Sequence, residues 1–466
     1  MANKESIEKR LQGNLRRFII FRLFYSARFY YPVLTVLFLD YGLTLEQFGI
    51  LNLAWALTIV FAEVPSGALA DIVGRKRLVV VASALMVVEM LLLVLVPMGA
   101  SALLFWVFLA NRICSGLSEA AASGADEALV YDSLKQLGRE SEWAQLLEKT
   151  TRVVAIGFFT TMILGAFAYD SEMVNGFVRY LSIDWQFSEQ MIVRMPIILT
   201  LMTALIVLAT SLGFYDIDKS ALAQAKLQAH ESGESLNALR DSFAQIAKAA
   251  RWIVGHQFVL FVILVALALD SVARQFVVLA SEYYRSIEIP ISWFGFIGAG
   301  MALIGILNAR LSRLMVSHLS PFTNFLCLSG VLLASLLGVM LAIPLYGVLF
   351  AIGAFAILGM VQFQASFYIN SAVDSKLRAT VLSFKGLALN LGLGVASLLY
   401  TGLVSALKRG EIAATLPTQE LQGFAFVEAL KVFPLYYLVL FFGIVLLAFV
   451  LFPRREIFFR KPRPLV

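Results

Sequence analysis

Charged side chains inside long apolar segments are the residues of this chain that could do chemistry. The candidates that we single out are Arg28, Glu63, Arg112, Glu119, Asp270 and Arg274. An ionisable group near the centre of a lipid bilayer is costly unless it is paired or faces water, so it indicates a pathway for a substrate or an ion. Carboxylates there can carry a proton, and a guanidinium can hold a planar carboxylate or phosphate in two parallel hydrogen bonds. We therefore predict binding and proton transfer as the chemistry of these residues.

The spacing of these residues indicates which of them act together. Asp270 and Arg274 are one helical turn apart and can pair with each other. Arg112 and Glu119 fall on one helical face, and further polar residues continue that face at spacings of three and four: Ser115, Gly116, Ser123 and Asp126. Burial favours the neutral form of a carboxyl, and a nearby arginine favours its charged form. A carboxyl under both influences can change protonation as its surroundings change. We predict Glu119 as the proton carrier, with Glu63 or Asp270 as its rival.

A buried ion pair with a purely structural role is the competing interpretation, for example Glu63 with an arginine. The place of Glu63 beside Pro65 favours a packing role for that carboxyl. For Asp270 with Arg274, a structural and a functional role fit equally well. Both interpretations therefore stay open for this pair.

The composition excludes a soluble or disordered protein. Of the 466 residues, 60% are hydrophobic and 15% are charged, and the mean hydropathy is +0.83. Polar residues must cover the surface of a soluble protein, and too few are present here. Three scattered His residues without HExxH, two Cys residues within apolar segments and the absence of a Walker A motif exclude a zinc hydrolase, a disulfide framework and an ATP-driven pump. We predict no metal, no cofactor and no enzymatic activity.

Twelve apolar segments are long enough to cross a bilayer, which takes about 20 residues each. They predict an all-α multi-pass membrane protein whose spans cover approximately 18–40, 46–69, 78–97, 103–125, 152–169, 194–215, 255–282, 291–309, 321–342, 344–369, 379–405 and 432–452.

The basic residues concentrate in alternate connecting segments, such as Arg75-Lys76-Arg77 and both ends of the chain. Because cytoplasmic segments are the basic ones, this pattern predicts that both termini are cytoplasmic in a cell inner (plasma) membrane. The net charge of +6 then reflects topology and attraction to anionic lipid, not binding of nucleic acid.

The spans divide into two similar halves. Asp40-Tyr41 and Gln47-Phe48-Gly49-Ile50 in the first half match Glu282-Tyr283 and Trp293-Phe294-Gly295-Phe296 in the second. A duplicated six-span unit is typical of transporters that rock one half against the other. The predicted organisation begins with a cytoplasmic N-terminal segment (1–17) and a first six-helix bundle (18–215). A cytoplasmic amphipathic connector (216–252), a second six-helix bundle (253–452) and a basic cytoplasmic tail (453–466) follow.

One inner loop carries a recognisable motif, Gly67-Ala-Leu-Ala-Asp71-Ile-Val-Gly74-Arg75-Lys76-Arg77, between spans 2 and 3. It closely resembles the loop signature of the major facilitator superfamily, and Arg112-Ile-Cys-Ser-Gly116 is similar to a second motif of that family. With twelve spans in two halves, the resemblance covers the whole chain. It implies the major facilitator fold, with two pseudo-symmetric six-helix bundles.

The loop residues suggest a conformational latch. Gly67 and Gly74 allow close helix approach and a tight turn, and Asp71 can accept hydrogen bonds at the start of a helix. The resemblance implies that this helix is span 11, and Arg75 is then expected to pair with Asp126. The alternative is that the basic triplet only sets the topology.

The resemblance implies a secondary active transporter that moves a small organic solute by alternating access, coupled to protons, with export the favoured direction. Span 5, at 153–169, lacks the proline of a drug-exporter motif, so proton-coupled uptake of an organic anion stays open. A translocator of amphiphiles or lipids is a further alternative. The expected partners are the solute, protons and membrane lipids, and the protein is expected to be a monomer.

Overall fold

The structure of the chain is a computed structural model that describes residues 2–99, 101–215 and 234–451. These residues form helices and connecting turns and contain no strand. The helices are α1 (Ala2–Ser26), α2 (Leu34–Tyr41), α3 (Leu45–Val73), α4 (Arg75–Leu95), α5 (Ala102–Ala122), α6 (Ala125–Gln136), α7 (Trp143–Tyr169), α8 (Ser171–Tyr180), α9 (Glu189–Gly213), α10 (Glu234–Gly255), α11 (Gln257–Ser286), α12 (Ile291–His318), α13 (Pro321–Val339), α14 (Val348–Ala372), α15 (Ser375–Lys408), α16 (Glu411–Ala414) and α17 (Thr418–Leu451).

Ten helices of the described part are long and apolar enough to cross a membrane. They are α3, α4, α7, α9, α11, α12, α13, α14, α15 and α17. The two remaining predicted spans lie on α5, which carries Arg112 and Glu119, and on the interrupted pair α1 and α2. The chain is thus an all-α multi-pass membrane protein, as predicted.

Span 1 is not the continuous helix that its apolar sequence predicted. Helix α1 ends at Ser26, and α2 begins only at Leu34 after a short 3-10 turn, Tyr31–Val33. The cause is Pro32, which has no N–H to donate and whose ring collides with the carbonyl four residues earlier in a helix. That carbonyl belongs to Arg28, so the interruption falls at a predicted site residue.

Neighbouring helices of the same unit hold the interrupted segment. The Phe29 amide donates to Thr200 Oγ1 at 3.0 Å, and Thr203 Oγ1 donates to the Ala27 carbonyl at 3.2 Å. Gly165 of α7 lies so close that a Cβ there would collide with the Phe29 carbonyl oxygen. These contacts satisfy backbone groups that the bilayer could not.

The contacts between residues divide the chain into two compact units. The first consists of Met1–Pro32 and Leu57–Ala244, and the second of Val33–Ala56 and Gln245–Val466. The structure thus groups residues 33–56 with the second half of the chain. The bundle boundaries predicted from chain order stay a prediction. Most of the connector, 216–233, and the tail, 453–466, lie outside the described residues.

In the first unit, α4 packs on α5 and α9, while α1 packs on α6, α7 and α9. In the second unit, α11 is central and packs on α2, α14, α15 and α17. Accordingly, 72% of its most apolar stretch is buried, the largest share of any candidate span in the described part. In each unit, a helix that packs on several others thus carries charged residues.

The matching motifs Asp40-Tyr41 and Glu282-Tyr283 meet within the second unit. Arg285 pairs with Asp40 and with Glu282, at 2.6 Å each. Lys408 of α15 pairs with Glu46 of α3 at 2.8 Å. These ion pairs help to hold residues 33–56 in the second unit.

Candidate functional site

The first unit contains a buried group of charged and polar side chains, called here the first cluster: Arg28, Tyr30, Glu89, Asn111 and Arg112. Arg28 Nη1 donates to Glu89 Oε2 at 2.9 Å, and the Tyr30 hydroxyl donates to Glu89 Oε1 at 3.3 Å. The exposed fractions of Arg28, Glu89 and Arg112 are 6%, 0% and 7%. The interruption of α1 positions Arg28 for this contact with α4.

Helix α5 completes the first cluster. Asn111 Nδ2 donates to the Glu89 carbonyl oxygen at 2.8 Å and ties α5 to α4. Arg112 lies one residue further and is close enough to Arg28 and Glu89 to interact with their charges. Two guanidiniums therefore lie within electrostatic range of one carboxylate in this cluster.

Glu119 lies on the same helix, two turns beyond Arg112, and is exposed. Its charge acts on the half-buried Glu63 and on the ring hydroxyls of Tyr25 and Tyr31. Among the residues the structure describes, Glu63 forms no ion pair. The structural pair suggested for Glu63 with an arginine is therefore not formed here, and the buried pair of this unit is Arg28 with Glu89.

Asp126 is not on the face of Arg112 and Glu119, contrary to the prediction. Helix α5 ends at Ala122, and α6 starts after Gly124, whose φ of 75° lies in the left-handed region that favours glycine. The new helix axis turns Asp126 towards α1, where it pairs with Arg22 at 2.9 Å and is 1% exposed.

The predicted pair of Arg75 with Asp126 is consequently wrong. Arg75, the first residue of α4, pairs with Asp132 instead and donates to the Ala128 carbonyl oxygen at 3.2 Å. Asp132 lies almost two turns after Asp126 on α6, on the side that faces α4. The helix restart at Gly124 decides which acid reaches the arginine.

Burial raises the pKa of Asp126 to about 6, although Arg22 opposes this shift. A carboxyl in an apolar environment loses hydration in its charged form, and here that loss outweighs the nearby guanidinium. Asp126 therefore takes up a proton as the pH falls through about 6, which weakens its pairing with Arg22.

The other latch residues lie around the turn between α3 and α4. Gly74 forms that turn with φ of 100°, as expected for a glycine there. At Gly67, no described atom comes within 4 Å of an added Cβ, and the expected close helix approach stays a prediction. Asp71 belongs to α3, but its side chain lies outside the described part, and its predicted role stays a prediction.

The second unit contains a second cluster, which consists of Asp270, Arg274, Gln362, Ser366, Lys385 and Asn390. Arg274 Nη2 pairs with Asp270 Oδ1 at 2.7 Å, as the spacing predicted, and Gln362 Nε2 donates to the same oxygen at 2.7 Å. Arg274 Nη1 donates to Asn390 Oδ1 at 3.1 Å. Helices α11, α14 and α15 thus meet at the ion pair of Asp270 with Arg274.

Lys385 was missed at the level of sequence, as was Glu89. Lys385 Nζ donates to Ser366 Oγ at 2.8 Å, is 8% exposed and lies within electrostatic range of Asp270 and Arg274. Each of the two is a single ionisable residue within an apolar span, Glu89 in 78–97 and Lys385 in 379–405. An ionisable residue within an apolar span indicates a functional site, as for Arg28, and this signal was present for both residues.

An apolar groove lies on another face of the first unit, between α3, α4 and α5. Its volume is about 750 Å³, and Phe61, Val81 and Leu117 contribute exposed side chains to it. Neither Glu63 nor Glu119 lines it. The groove offers an apolar surface without a charged partner.

Within the described residues, no group of three or more His, Cys, Asp or Glu side chains could hold a metal ion. The arrangement of both clusters favours binding of charged groups.

No protein-family model and no curated protein matches the chain by sequence. Solved structures do match it. The nucleoside transporter NupG has a TM-score of 0.66 at 13% identity, covering 94% of this chain and 98% of that one. A bacterial homolog to human lysosomal transporter Spinster, in an inward-facing and unoccupied conformation, has a TM-score of 0.64 at 15% identity, covering 98% and 99%.

The D-xylose-proton symporter has a TM-score of 0.59 at 12% identity, covering 97% of this chain and 98% of that one. At such low identities the likeness concerns the fold. All three matches extend over nearly the whole of both chains. The chain therefore has the major facilitator fold, as the resemblance of its inner loop predicted.

Proposed function

We propose that this protein is a secondary active transporter that moves a small organic solute by alternating access. The observation that carries the proposal is a buried charge cluster in each unit, around Glu89 and around Asp270. Charges inside the bilayer are costly, and a protein retains them where they bind or move something. The same fold serves a nucleoside transporter and a D-xylose-proton symporter, which supports transport of a small solute.

Coupling to protons is part of this proposal, with Glu119 as the carrier. Glu119 is exposed, and Glu63, Tyr25 and Tyr31 surround it within electrostatic range. A carboxyl that reaches water and also borders buried groups can exchange a proton with one side of the membrane. Export is the direction that the resemblance favours. Uptake of an organic anion is the second candidate, supported by the excess of cations over anions in both clusters.

The turn between α3 and α4 is proposed as a conformational latch formed by Gly67, Asp71, Gly74, Arg75 and, in place of Asp126, Asp132. The contact of Arg75 with α6 supports this role. Asp71→Asn should leave the fold intact and lower transport sharply. A normal transport rate for Asp71→Asn in liposomes would instead assign the loop to topology alone.

We further propose that the protein lies in the cell inner membrane as a monomer, with both termini cytoplasmic. The basic residues of alternate segments support this orientation.

Reconstitution into liposomes tests the function. A thermal-shift screen of metabolites and drugs first identifies a solute, because a ligand of the folded state raises its apparent stability. A pH gradient should then drive accumulation of that solute, and counterflow should occur without the gradient. Lipid translocation without solute exchange would instead favour the alternative of an amphiphile translocator, for which the apolar groove at Phe61 is the supporting feature.

The proton carrier is tested by Glu119→Gln, which keeps shape and removes titration. This variant should lose uphill transport and keep downhill exchange. Glu148→Gln is the matched control, because Glu148 lies at an exposed position and pairs only locally with Arg152. Loss of both activities in Glu119→Gln would make Glu119 structural, and retained accumulation would move the proton to Glu63 or Asp270.

A further inference from the structure

The second cluster carries more positive than negative charge. Arg274 and Lys385 contribute two cations, and Asp270 contributes one anion that Arg274 and Gln362 already bond at Oδ1. Asp270 Oδ2 is buried and accepts no hydrogen bond from the residues that the structure describes. Among the described residues, the hydrogen-bond partner of Lys385 Nζ is a neutral group, Ser366 Oγ. The cluster therefore has one positive charge that no described acid of the cluster neutralises.

This excess charge lies deep within the apolar part of the unit. Lys385, which carries it, is 8% exposed and is the one charged residue of the apolar segment 379–405. Asp270 beside it is thirteen residues into α11, about 20 Å from its start at 1.5 Å per residue. An uncompensated charge in such a place is strongly disfavoured, whereas a hydrogen-bonded pair of charges is tolerated. An anion beside Lys385 would relieve the imbalance.

Several side chains of the cluster are only partly buried. The Arg274 side chain is 21% exposed, and Gln362, Ser366 and Asn390 are half-buried. Their amide, hydroxyl and guanidinium groups offer hydrogen-bond donors beside the ammonium group of Lys385. A carboxylate or phosphate in the cluster could therefore form a charge-assisted hydrogen bond with Lys385.

We propose that the second cluster is a binding site for an anionic group of the transported solute, a carboxylate or a phosphate, and that Lys385 determines this specificity. The proposal rests on the proposed function, because it names the chemical class of the solute. Asp270 is then a positioning residue that holds Arg274 and leaves Lys385 free to meet the anion.

Thermal unfolding of the purified protein in neutral detergent, without added anion, tests the charge imbalance. Lys385→Gln keeps a donor for Ser366 and should raise the unfolding temperature by several degrees, whereas Lys385→Arg should not. Lys431→Gln is the matched control, since Lys431 is half-exposed and pairs with Glu428 within one helix of the same unit. A lower unfolding temperature, or failure to fold, of Lys385→Gln would overturn the proposal.

The same assay with small probes tests the anion. Acetate, benzoate and inorganic phosphate are compared with acetamide and benzamide, which match the two carboxylates in shape and lack their charge. At least one anion should raise the unfolding temperature of the wild type, Lys385→Arg and Lys431→Gln, and not that of Lys385→Gln. A response to benzoate or acetate assigns a carboxylate, and a response to phosphate alone assigns a phosphate. An equal response of Lys385→Gln, or no response of the wild type, would overturn the proposal.

Failure of this proposal is distinguishable from failure of the transport function. Proton-driven transport of a neutral or cationic solute, unaffected by Lys385→Gln, removes the anion site and leaves the transporter. Anion binding at Lys385 without exchange of any solute in liposomes removes the transporter and leaves the site.

Discussion

Each charge cluster contains a residue of the first span of its half, Arg28 in one and Asp270 in the other, and these two residues have opposite charges. Aligning Asp40-Tyr41 with Glu282-Tyr283 places Arg28 opposite Asp270 and Pro32 opposite Arg274. Helix α11 is continuous, so Asp270 pairs with Arg274 one turn later on the same helix. In the first half Pro32 holds that place and interrupts the helix.

The interruption changes where the partner of the charged residue comes from. Arg28 has no acid one turn later, and its carboxylate, Glu89, comes from α4. A pair between two helices ties their packing together, whereas a pair within one helix ties only neighbouring turns. The ion pair of the second cluster lies within α11, and neutral side chains join it to α14 and α15. Because Arg274 is also partly exposed, we propose that the second cluster is the freer of the two to bind a solute.

Glu89→Gln should break the first cluster with the largest effect. It leaves the buried Arg28 guanidinium without its carboxylate, which typically costs about 3–5 kcal/mol of unfolding free energy. The unfolding of detergent-purified protein in denaturant measures this loss. The double variant Arg28→Gln with Glu89→Gln should recover most of it, and simple additivity of the two single changes would contradict the buried pair.

Asp270→Asn should have a smaller effect on stability. Arg274 keeps its bond to Asn390 and is partly solvated, so the loss is that of hydrogen bonds to a charged group, about 1.5–3 kcal/mol. The same denaturant series measures it beside Glu89→Gln. A loss as large as that of Glu89→Gln would remove the distinction between the clusters.

Gly165→Ala tests whether the interruption of α1 supports the first cluster. Its new Cβ would meet the Phe29 carbonyl oxygen, and overpacking of this kind costs about 1–3 kcal/mol. Gly176→Ala is the control, because no described atom lies within 4 Å of a Cβ there. Thermal unfolding compares the two variants, and equal stability of both would contradict the tight contact with α7.

Asp132→Asn should change stability least, by less than about 1 kcal/mol, because both Asp132 and Arg75 are about one-third exposed. Its effect should appear in transport, since it releases Arg75 from α6. Transport by Asp132→Asn at the wild-type rate in liposomes would separate this ion pair from the proposed latch.

Much of the architecture follows from the order of apolar segments. Apolar segments of about 20 residues predicted the helices, and the inner-loop motif predicted the fold. Of the site residues, those with partners one turn away were also predictable, because helical spacing alone brings Asp270 to Arg274. Glu89 and Lys385 were visible as single charges within spans, but their partners lie far away in sequence.

The sequence by itself determined that this protein is helical and membrane-embedded, because the bilayer admits long apolar helices whose backbone bonds are made locally. Only the tertiary structure decided which charges meet. Pro32 directs Arg28 towards Glu89, and Gly124 turns Asp126 away from Arg75 towards Arg22. At Pro32 and at Gly124 the helix is interrupted, which changes the direction of the nearby charged side chain. Packing between helices then decides which oppositely charged residue it meets.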